Sequence, residues 1–211
     1  ASISRSLRNA SSPDMSGNRT SSTTASGRRS VNRASPSAAE VAVTNHPLSR
    51  RIAEVLELAP DSRAIEYDRE WSSWAQLGVA ARRVAGGVAP ATRVGILLRN
   101  TPAHVAAVLG VLLAGGCIVV INPSRGDERT RSDINDLDLP IVIGTAEDIT
   151  QLVGPDSPAT VVTIAHLDDA PQVRPGRRGR SPVGPAGVAV RMLTSGTTGP
   201  PKRVDLTVAR P

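Results

Sequence analysis

The stretch "RVGILLRNTPAHVAAVLGVLLAGGCIVVINP", residues 93–123, predicts two buried strands joined by a helix. Its two ends, "RVGILL" and "CIVVIN", are continuous aliphatic runs without the alternation of a strand that has one face in water. Strands of this kind lie inside parallel sheets whose two faces are covered by helices. The stretch is therefore typical of a strand–helix–strand unit and indicates an α/β fold.

The segment between these two strands carries the signals of helix ends. Asn100 or Thr101 is placed to cap the first turn, and Pro102 suits the first helical position. The pair Gly115-Gly116 ends the helix. Because that pair divides the apolar stretch 105–121 into two elements that are each too short to cross a bilayer, we expect no membrane span.

The residues on either side continue the pattern. Upstream, "AIEY" and "REW" predict a two-stranded hairpin, and Ser72 or Ser73 then caps a helix that Gly86-Gly87 closes. Downstream, "IVIG", "TVVTI" and "GVAVRML" predict strands, with "ERTRSDINDLDLP" and "EDITQLV" between them as helices. The fold class expected is α/β, a mostly parallel sheet with helices on both faces. The Pro/Gly/Arg-rich segment 171–187 is expected to be a mobile linker between the last two strands.

The first 45 residues differ in composition from the rest. Ser, Thr, Arg, Asn and Ala dominate residues 1–45, which hold almost no large apolar side chain. Such a segment buries too little surface to offset the entropy lost on ordering, so we expect a disordered tail at 1–45 and a folded domain at 46–211. The tail is either a non-functional extension or a targeting peptide, although it lacks the leucine stripe of an amphipathic helix.

Charge and cysteine content limit the classes of function that the chain is expected to have. The net charge of +6 comes mostly from the first 35 residues, where six arginines face one acid, Asp14. With the remainder nearly balanced and no aromatic residues beside these arginines, nucleic-acid binding is not expected. The single cysteine, Cys117, lies in an apolar run, which predicts a buried, inert thiol and fits a reducing compartment such as the cytoplasm.

A second stretch, "LTSGTTGPPKRV" at residues 193–204, has the composition of a phosphate-binding loop and contains the chain's only lysine. It follows the strand "GVAVRML", and ligands bind at the carboxyl ends of strands in such sheets. Glycine lets the backbone approach an anion, hydroxyl groups donate without adding charge, and a lysine supplies a compact cation. The Walker pattern is absent because proline precedes the lysine and arginine follows it. The residues predicted to bind phosphate are Thr194, Ser195, Gly196, Thr197, Thr198, Gly199 and Lys202.

The segment "TSGTTGPPK" resembles the phosphate-binding signature of the adenylate-forming superfamily, which contains acyl-CoA synthetases, luciferases and the adenylation domains of peptide synthetases. The stretch 93–123 is similar to the strand–helix–strand core of that superfamily, and the resemblance covers about residues 48–207. It implies that a carboxylate reacts with ATP to give an acyl-adenylate and pyrophosphate, and that the acyl group then passes to a thiol such as coenzyme A. ATP and Mg²⁺ are implied as cofactors, a small carboxylic acid as substrate, and fatty or aryl acids as the commonest case.

Some positions depart from the superfamily pattern. Leu193 stands where tyrosine is frequent, and Arg203 stands where glycine is usual. The later superfamily motif built on Tyr-Gly-x-Thr-Glu is missing, because Tyr67 is the only tyrosine. We therefore expect a fragment cut just after its phosphate loop, without catalytic residues of its own and inactive alone. The alternative is a non-catalytic remnant that binds a nucleotide or a partner.

Overall fold

The computed structural model describes residues 46–177, 184–194 and 202–208. The expected tail at 1–45 lies outside the described residues. The helices are α1 (Pro47–Leu58), α2 (Trp74–Ala85), α3 (Pro102–Leu113), α4 (Asp127–Leu137) and the short α5 (Ala146–Asp148), which continues as one π-helical turn at Ile149–Val153. The strands are β1 (Arg63–Tyr67), β2 (Glu70–Ser73), β3 (Arg93–Leu97), β4 (Cys117–Ile121), β5 (Ile141–Gly144), β6 (Thr160–Thr163), β7 (Gln172–Arg174), β8 (Val188–Thr194) and β9 (Lys202–Thr207).

Seven of these strands form one sheet in the order β7-β6-β5-β3-β4-β8-β9. The five inner strands run parallel, while β7 and β9 pair antiparallel to their neighbours at the two edges. The other two strands, β1 and β2, form the expected hairpin. The predicted fold class, a mostly parallel sheet with helices, is confirmed.

Side chains of the central strands alternate between two aliphatic clusters. Val94 and Ile96 of β3 pack against α1, α2 and α3, whereas Leu97 packs on the opposite face with α4 and the π-helical turn. Residues such as Val94 and Leu97 are fully buried, so a strand of this sheet needs apolar residues on both of its faces. Both faces of the sheet are therefore covered by helices, as the continuous aliphatic runs predicted.

The predicted N-caps of α2 and α3 agree with the structure in part. Ser73 caps α2, since its hydroxyl accepts from the Gln76 amide and the Gln76 side chain accepts from the Ser73 amide. Thr101 is the N-cap of α3, but its hydroxyl caps no backbone amide. The Thr101 hydroxyl instead lies 2.8 Å from Nδ1 of the buried His104.

The expectation that 171–187 is a linker was wrong for its first part. Gln172–Arg174 form β7, which pairs antiparallel with β6 at the sheet edge. An edge strand bonds on one side only, and Val173 is 57% exposed, so this strand lacks the apolar pattern by which the buried strands are recognised. Residues 178–183 lie outside the described residues.

Candidate phosphate-binding site

The candidate site lies where β8 ends and β9 begins. Thr194, the last residue of β8, pairs with Lys202, the first residue of β9, in an antiparallel hairpin. Because β8 is parallel to its neighbour β4, this end of the hairpin is at the carboxyl edge of the parallel sheet. The structure thus places Thr194 and Lys202 opposite each other; the other predicted ligands, Ser195, Gly196, Thr197, Thr198 and Gly199, lie outside the described residues.

The two basic residues that begin β9 point to opposite faces of the sheet. Successive side chains of a strand alternate in direction, and directly paired residues share a face. Val204 pairs with Met192 and Leu206 with Val190, so Lys202 shares with them the face covered by α3. Arg203 projects to the other face, where its Nη2 lies 3.7 Å from Oδ1 of Asp133 on α4.

The β8–β9 hairpin is also held by a cross-strand ion pair. Arg191 donates from Nε and an Nη to the two carboxylate oxygens of Asp205, at 2.7 and 2.8 Å. This bidentate contact lowers the pKa of Asp205 below its ordinary value and raises that of Arg191. Neither this contact nor β9 itself was predicted from the sequence, because every residue of β9 is exposed and an exposed edge strand shows no buried face.

The turn that follows β4 borders the same edge. Asn122 accepts a hydrogen bond from the Ser124 amide, and Pro123–Arg125 form a single 3-10 turn. Arg125 at the end of that turn donates to Oδ2 of Asp133 at 2.9 Å. Asp133 therefore lies between two guanidinium groups, one from the β4 turn and one from β9.

A second polar cluster, which the sequence did not reveal, lies at the carboxyl ends of β3 and β5. Arg99 donates twice to the Asp148 carboxylate, each time at 2.6 Å, and Thr145 donates to it at 3.1 Å. The helix α3 that follows β3 and the π-helical turn that follows β5 cover opposite faces of the sheet, so the position between these two strands is a topological switch point, where α/β sheets commonly bind ligands. The sequence signal for this cluster was Arg99, a charged residue directly after a buried strand. Its partner Asp148 lies 49 positions further along the chain and cannot be located from sequence.

Electrostatics in this second cluster follow from burial and pairing. The hydrogen bonds from Arg99 hold the pKa of Asp148 below its ordinary value, although burial opposes this. Burial lowers the pKa of His104 and outweighs the attraction of Asp148. The His104 Nε2 is buried and has no hydrogen-bond partner among the described residues. Burial of the ring therefore disfavours the charged imidazolium form of His104.

Two features are absent from residues 46–177, 184–194 and 202–208. These residues contain no group of three or more His, Cys, Asp or Glu side chains placed to hold a metal ion. No helix in this part of the chain has the length and apolar content that crossing a bilayer requires. Cys117 is buried as predicted, and burial raises the pKa of its thiol.

Comparison with known proteins identifies the family. The family model described as AMP-binding enzyme matches residues 52–210. The chain belongs to the AMP-binding enzyme family. This confirms the resemblance to the adenylate-forming superfamily, and the match runs past Thr207, where the resemblance was expected to end.

Relatives within the AMP-binding family include peptide synthetases. Bacitracin synthase 1 of Bacillus licheniformis is 31% identical in an alignment of 174 positions, and the match covers 76% of this chain and 3% of that protein. The solved complex of VinN with 3-methylaspartate is 25% identical, with a TM-score of 0.55, and the match covers 76% of this chain and 47% of that one. The nonribosomal peptide synthetase FmoA3, solved in an AMPPNP-bound form, shares the fold at 22% identity and a TM-score of 0.58, over 76% of this chain and 17% of FmoA3. The chain thus spans a small part of the curated relative and less than half of each solved structure.

Proposed function

We propose that this chain binds the β- and γ-phosphates of ATP in an enzyme that activates a carboxylic acid as an acyl-adenylate. The observation that carries the proposal is the β8–β9 hairpin, which sets Lys202 opposite Thr194 at the carboxyl edge of the sheet. Membership of the AMP-binding enzyme family supports the choice of ATP over other phosphorylated ligands.

The residue types in the segment 194–202 fit a chain of phosphates. The exposed Lys202 supplies one compact positive charge that can follow a phosphate oxygen. The hydroxyl groups of Thr194, Ser195, Thr197 and Thr198 donate without adding charge, and Gly196 and Gly199 leave room for backbone amides to face the anion. ATP with Mg²⁺ would supply an electrophilic α-phosphorus, so that the carboxylate takes the adenylyl group and pyrophosphate leaves. The donors of this chain would stabilise the charge that develops on the departing pyrophosphate.

We propose an amino acid as the acid that is activated. The name bacitracin synthase 1 and the titles of the FmoA3 and VinN structures support an amino acid over the fatty or aryl acids expected from the superfamily at large. The acceptor proposed is a thiol; the same relatives favour a peptide synthetase over an acyl-CoA synthetase, so coenzyme A is the less supported acceptor. The compartment proposed remains the cytoplasm, in keeping with the single buried thiol.

The 211-residue chain is proposed to bind phosphate without completing the reaction alone. The relatives named above extend far beyond the matched region. The chain also lacks the later superfamily motif built on Tyr-Gly-x-Thr-Glu. Carboxylate-dependent exchange of pyrophosphate into ATP is therefore expected only when this chain is joined to the downstream part of a related adenylation domain. Robust exchange by residues 1–211 alone would contradict this part of the proposal.

Substitution of Lys202 tests the phosphate contact in such a joined protein. Lys202→Ala should lower kcat/KM for ATP about thirty- to a thousand-fold, the equivalent of about 2–4 kcal/mol of lost transition-state stabilisation. Lys202→Arg should recover only part of this loss, because a planar guanidinium does not replace a compact ammonium. The matched control is the neighbouring Arg203→Gly, which should stay within about tenfold because Arg203 projects to the other face of the sheet.

The same assay tests the proposed substrate class. Exchange should depend on an amino acid and respond weakly to fatty or aryl acids. A neutral Lys202→Ala combined with an inactive Arg203→Gly would place the phosphate contact one residue further along. Equal exchange with fatty acids and amino acids would contradict the proposed substrate class while leaving the phosphate contact intact.

A further inference from the structure

Asp133, Arg125 and Arg203 form a cluster, named here the Asp133 cluster, that joins three elements next to the candidate site. Each carboxylate oxygen of Asp133 faces one guanidinium: Oδ2 accepts from Arg125 at 2.9 Å, and Oδ1 lies 3.7 Å from Nη2 of Arg203. The three side chains are 28–30% exposed, so water screens the cluster only in part. The turn after β4, the helix α4 and the strand β9 therefore meet at one carboxylate.

This contact acts on an element that has few neighbours. The strand β9 is the edge of the sheet, so its backbone pairs on one side only, with β8. The Arg191–Asp205 pair links β9 to the same neighbour. Arg203 reaches past β8 to α4, a helix that is packed on the sheet through the buried side chains of Ile134 and Leu137.

We propose that Arg203 is a positioning residue: through Asp133 it fixes the start of β9, and thereby the place of Lys202, without contacting phosphate itself. Its guanidinium faces Asp133 on the α4 side of the sheet, while Lys202 projects to the opposite side. Arg203 stands where glycine is usual in the superfamily, and a glycine has no side chain that could contact Asp133. The tether is therefore a feature of this chain and not of the superfamily pattern. The role of Lys202 in this inference rests on the proposed function.

Arg125 completes the tether because one carboxylate satisfies both arginines. If Asp133 is replaced by asparagine, the guanidinium groups of Arg125 and Arg203 lose their shared counter-charge and repel each other. If Arg203 is lost, Asp133 keeps Arg125, so α4 and the β4 turn stay joined while β9 is released. The two changes therefore differ at the β4 turn but should have the same consequence for β9.

A double-mutant cycle in the 211-residue chain tests the tether. Arg203→Gln, Asp133→Asn and the double variant are compared by amide hydrogen exchange in β9, without any ligand. Each single change should speed exchange of the β9 amides about threefold to tenfold, and the double variant should exchange no faster than the singles. Arg203→Lys should restore most of the protection, since it keeps the charge that faces Asp133.

The matched control is Arg131→Gln, which removes the exposed ion pair of Arg131 with Asp127 on the same helix and the hydrogen bond of Arg131 to the Gln151 carbonyl, neither of which involves β9. This change should leave exchange in β9 unaltered. Strictly additive effects of Arg203→Gln and Asp133→Asn, or no effect of Arg203→Gln, would overturn the tether. Circular dichroism of each variant separates loss of the tether from loss of the fold.

Binding of Mg²⁺-pyrophosphate, measured by calorimetry on the same variants, tests the positioning role. Arg203→Gln should weaken binding about twofold to fivefold with recovery in Arg203→Lys, whereas Lys202→Ala should abolish binding and leave exchange in β9 unchanged. A loss in Arg203→Gln as large as in Lys202→Ala would make Arg203 a direct ligand and overturn the inference. Failure of the unaltered chain to bind pyrophosphate would overturn the proposed function, and the positioning role with it, while the exchange cycle alone still decides the tether.

Discussion

In the described part of the chain, Asp148 is the one carboxylate that solvent does not reach. Its charge is balanced by Arg99, whose side chain is partly in water. The Asp148 side chain is 1% exposed, whereas that of Arg99 is 43% exposed. Removal of either partner therefore leaves a different residue behind. An unpaired buried carboxylate is costly, while an unpaired guanidinium at the surface is solvated.

This asymmetry predicts that Arg99→Ala destabilises the protein more than Asp148→Asn. Arg99→Ala should lower the free energy of unfolding by about 2–3 kcal/mol, and Asp148→Asn by about 1 kcal/mol, as measured by urea unfolding. The exposed Arg51–Glu54 pair on α1 supplies the control, since Arg51→Ala should change stability by at most about 0.5 kcal/mol. Equal losses from the two changes in the buried pair would show that Asp148 is solvated after all.

At the scale of elements, the contact between α2 and α3 depends on Gly110. A β-carbon at Gly110 would lie 2.5 Å from the Ala81 carbonyl oxygen and 2.8 Å from the Val84 β-carbon, both on α2. A β-carbon at Gly78, on α2 itself, would meet only the flexible end of Arg82 at 3.0 Å and Leu56 at 3.9 Å. Replacement by alanine therefore compares Gly110, which faces the backbone of another helix, with Gly78, which faces the flexible end of a side chain.

Gly110→Ala should lower the free energy of unfolding by about 2 kcal/mol, because α3 cannot remain this close to the α2 backbone. Gly78→Ala should be neutral or stabilise by up to about 1 kcal/mol, because alanine favours the helix and Arg82 can move aside. Thermal unfolding of the two variants beside the unaltered protein makes the comparison. A Gly110→Ala variant as stable as Gly78→Ala would show that the two helices separate at little cost.

For the whole molecule, the buried groups His104 and Asp148 make the free energy of unfolding depend on pH. The pKa of His104 is lowered on folding from its ordinary value of 6.5, so the unfolded chain takes up this proton first as pH falls. The pKa of Asp148 is lowered from 3.8, so its contribution is present above that value and is lost as pH falls further, through its folded pKa. The two groups therefore act in the same direction in successive windows of pH.

Stability should accordingly stay level from about pH 8 to 7, begin to fall near pH 6.5 and fall more steeply below about pH 4. Urea unfolding at a series of pH values measures both windows. His104→Asn should flatten the first decline while leaving the second in place, and Asp148→Asn should do the reverse. A rise in stability on acidification between pH 6.5 and 5 would contradict the neutral, buried state of His104.

Much of the architecture was accessible from local sequence. The stretch 93–123 predicted its strands and helix, because a strand buried on both faces must be a continuous aliphatic run and a glycine pair must end the helix between them. A cap at Ser72 or Ser73 was recognisable from sequence, and the structure selects Ser73, whose partner Gln76 is only three residues away. The phosphate-binding signature at 194–202 was likewise recognisable as a short contiguous motif. These features are local, so their physical causes are visible in the order of the residues.

Tertiary structure decided what depends on partners distant in sequence. The strand order placed Arg99 beside Asp148 and the Asp133 cluster beside β9, although these residues are far apart along the chain. The edge strands β7 and β9 lacked a sequence signal, because most of their residues are exposed and neither strand is a continuous apolar run. The opposite directions of Lys202 and Arg203 follow from strand alternation, which required first that β9 be a strand. The sequence thus determined the buried strands, the helices and the candidate site, whereas packing determined the edge strands and which charges meet.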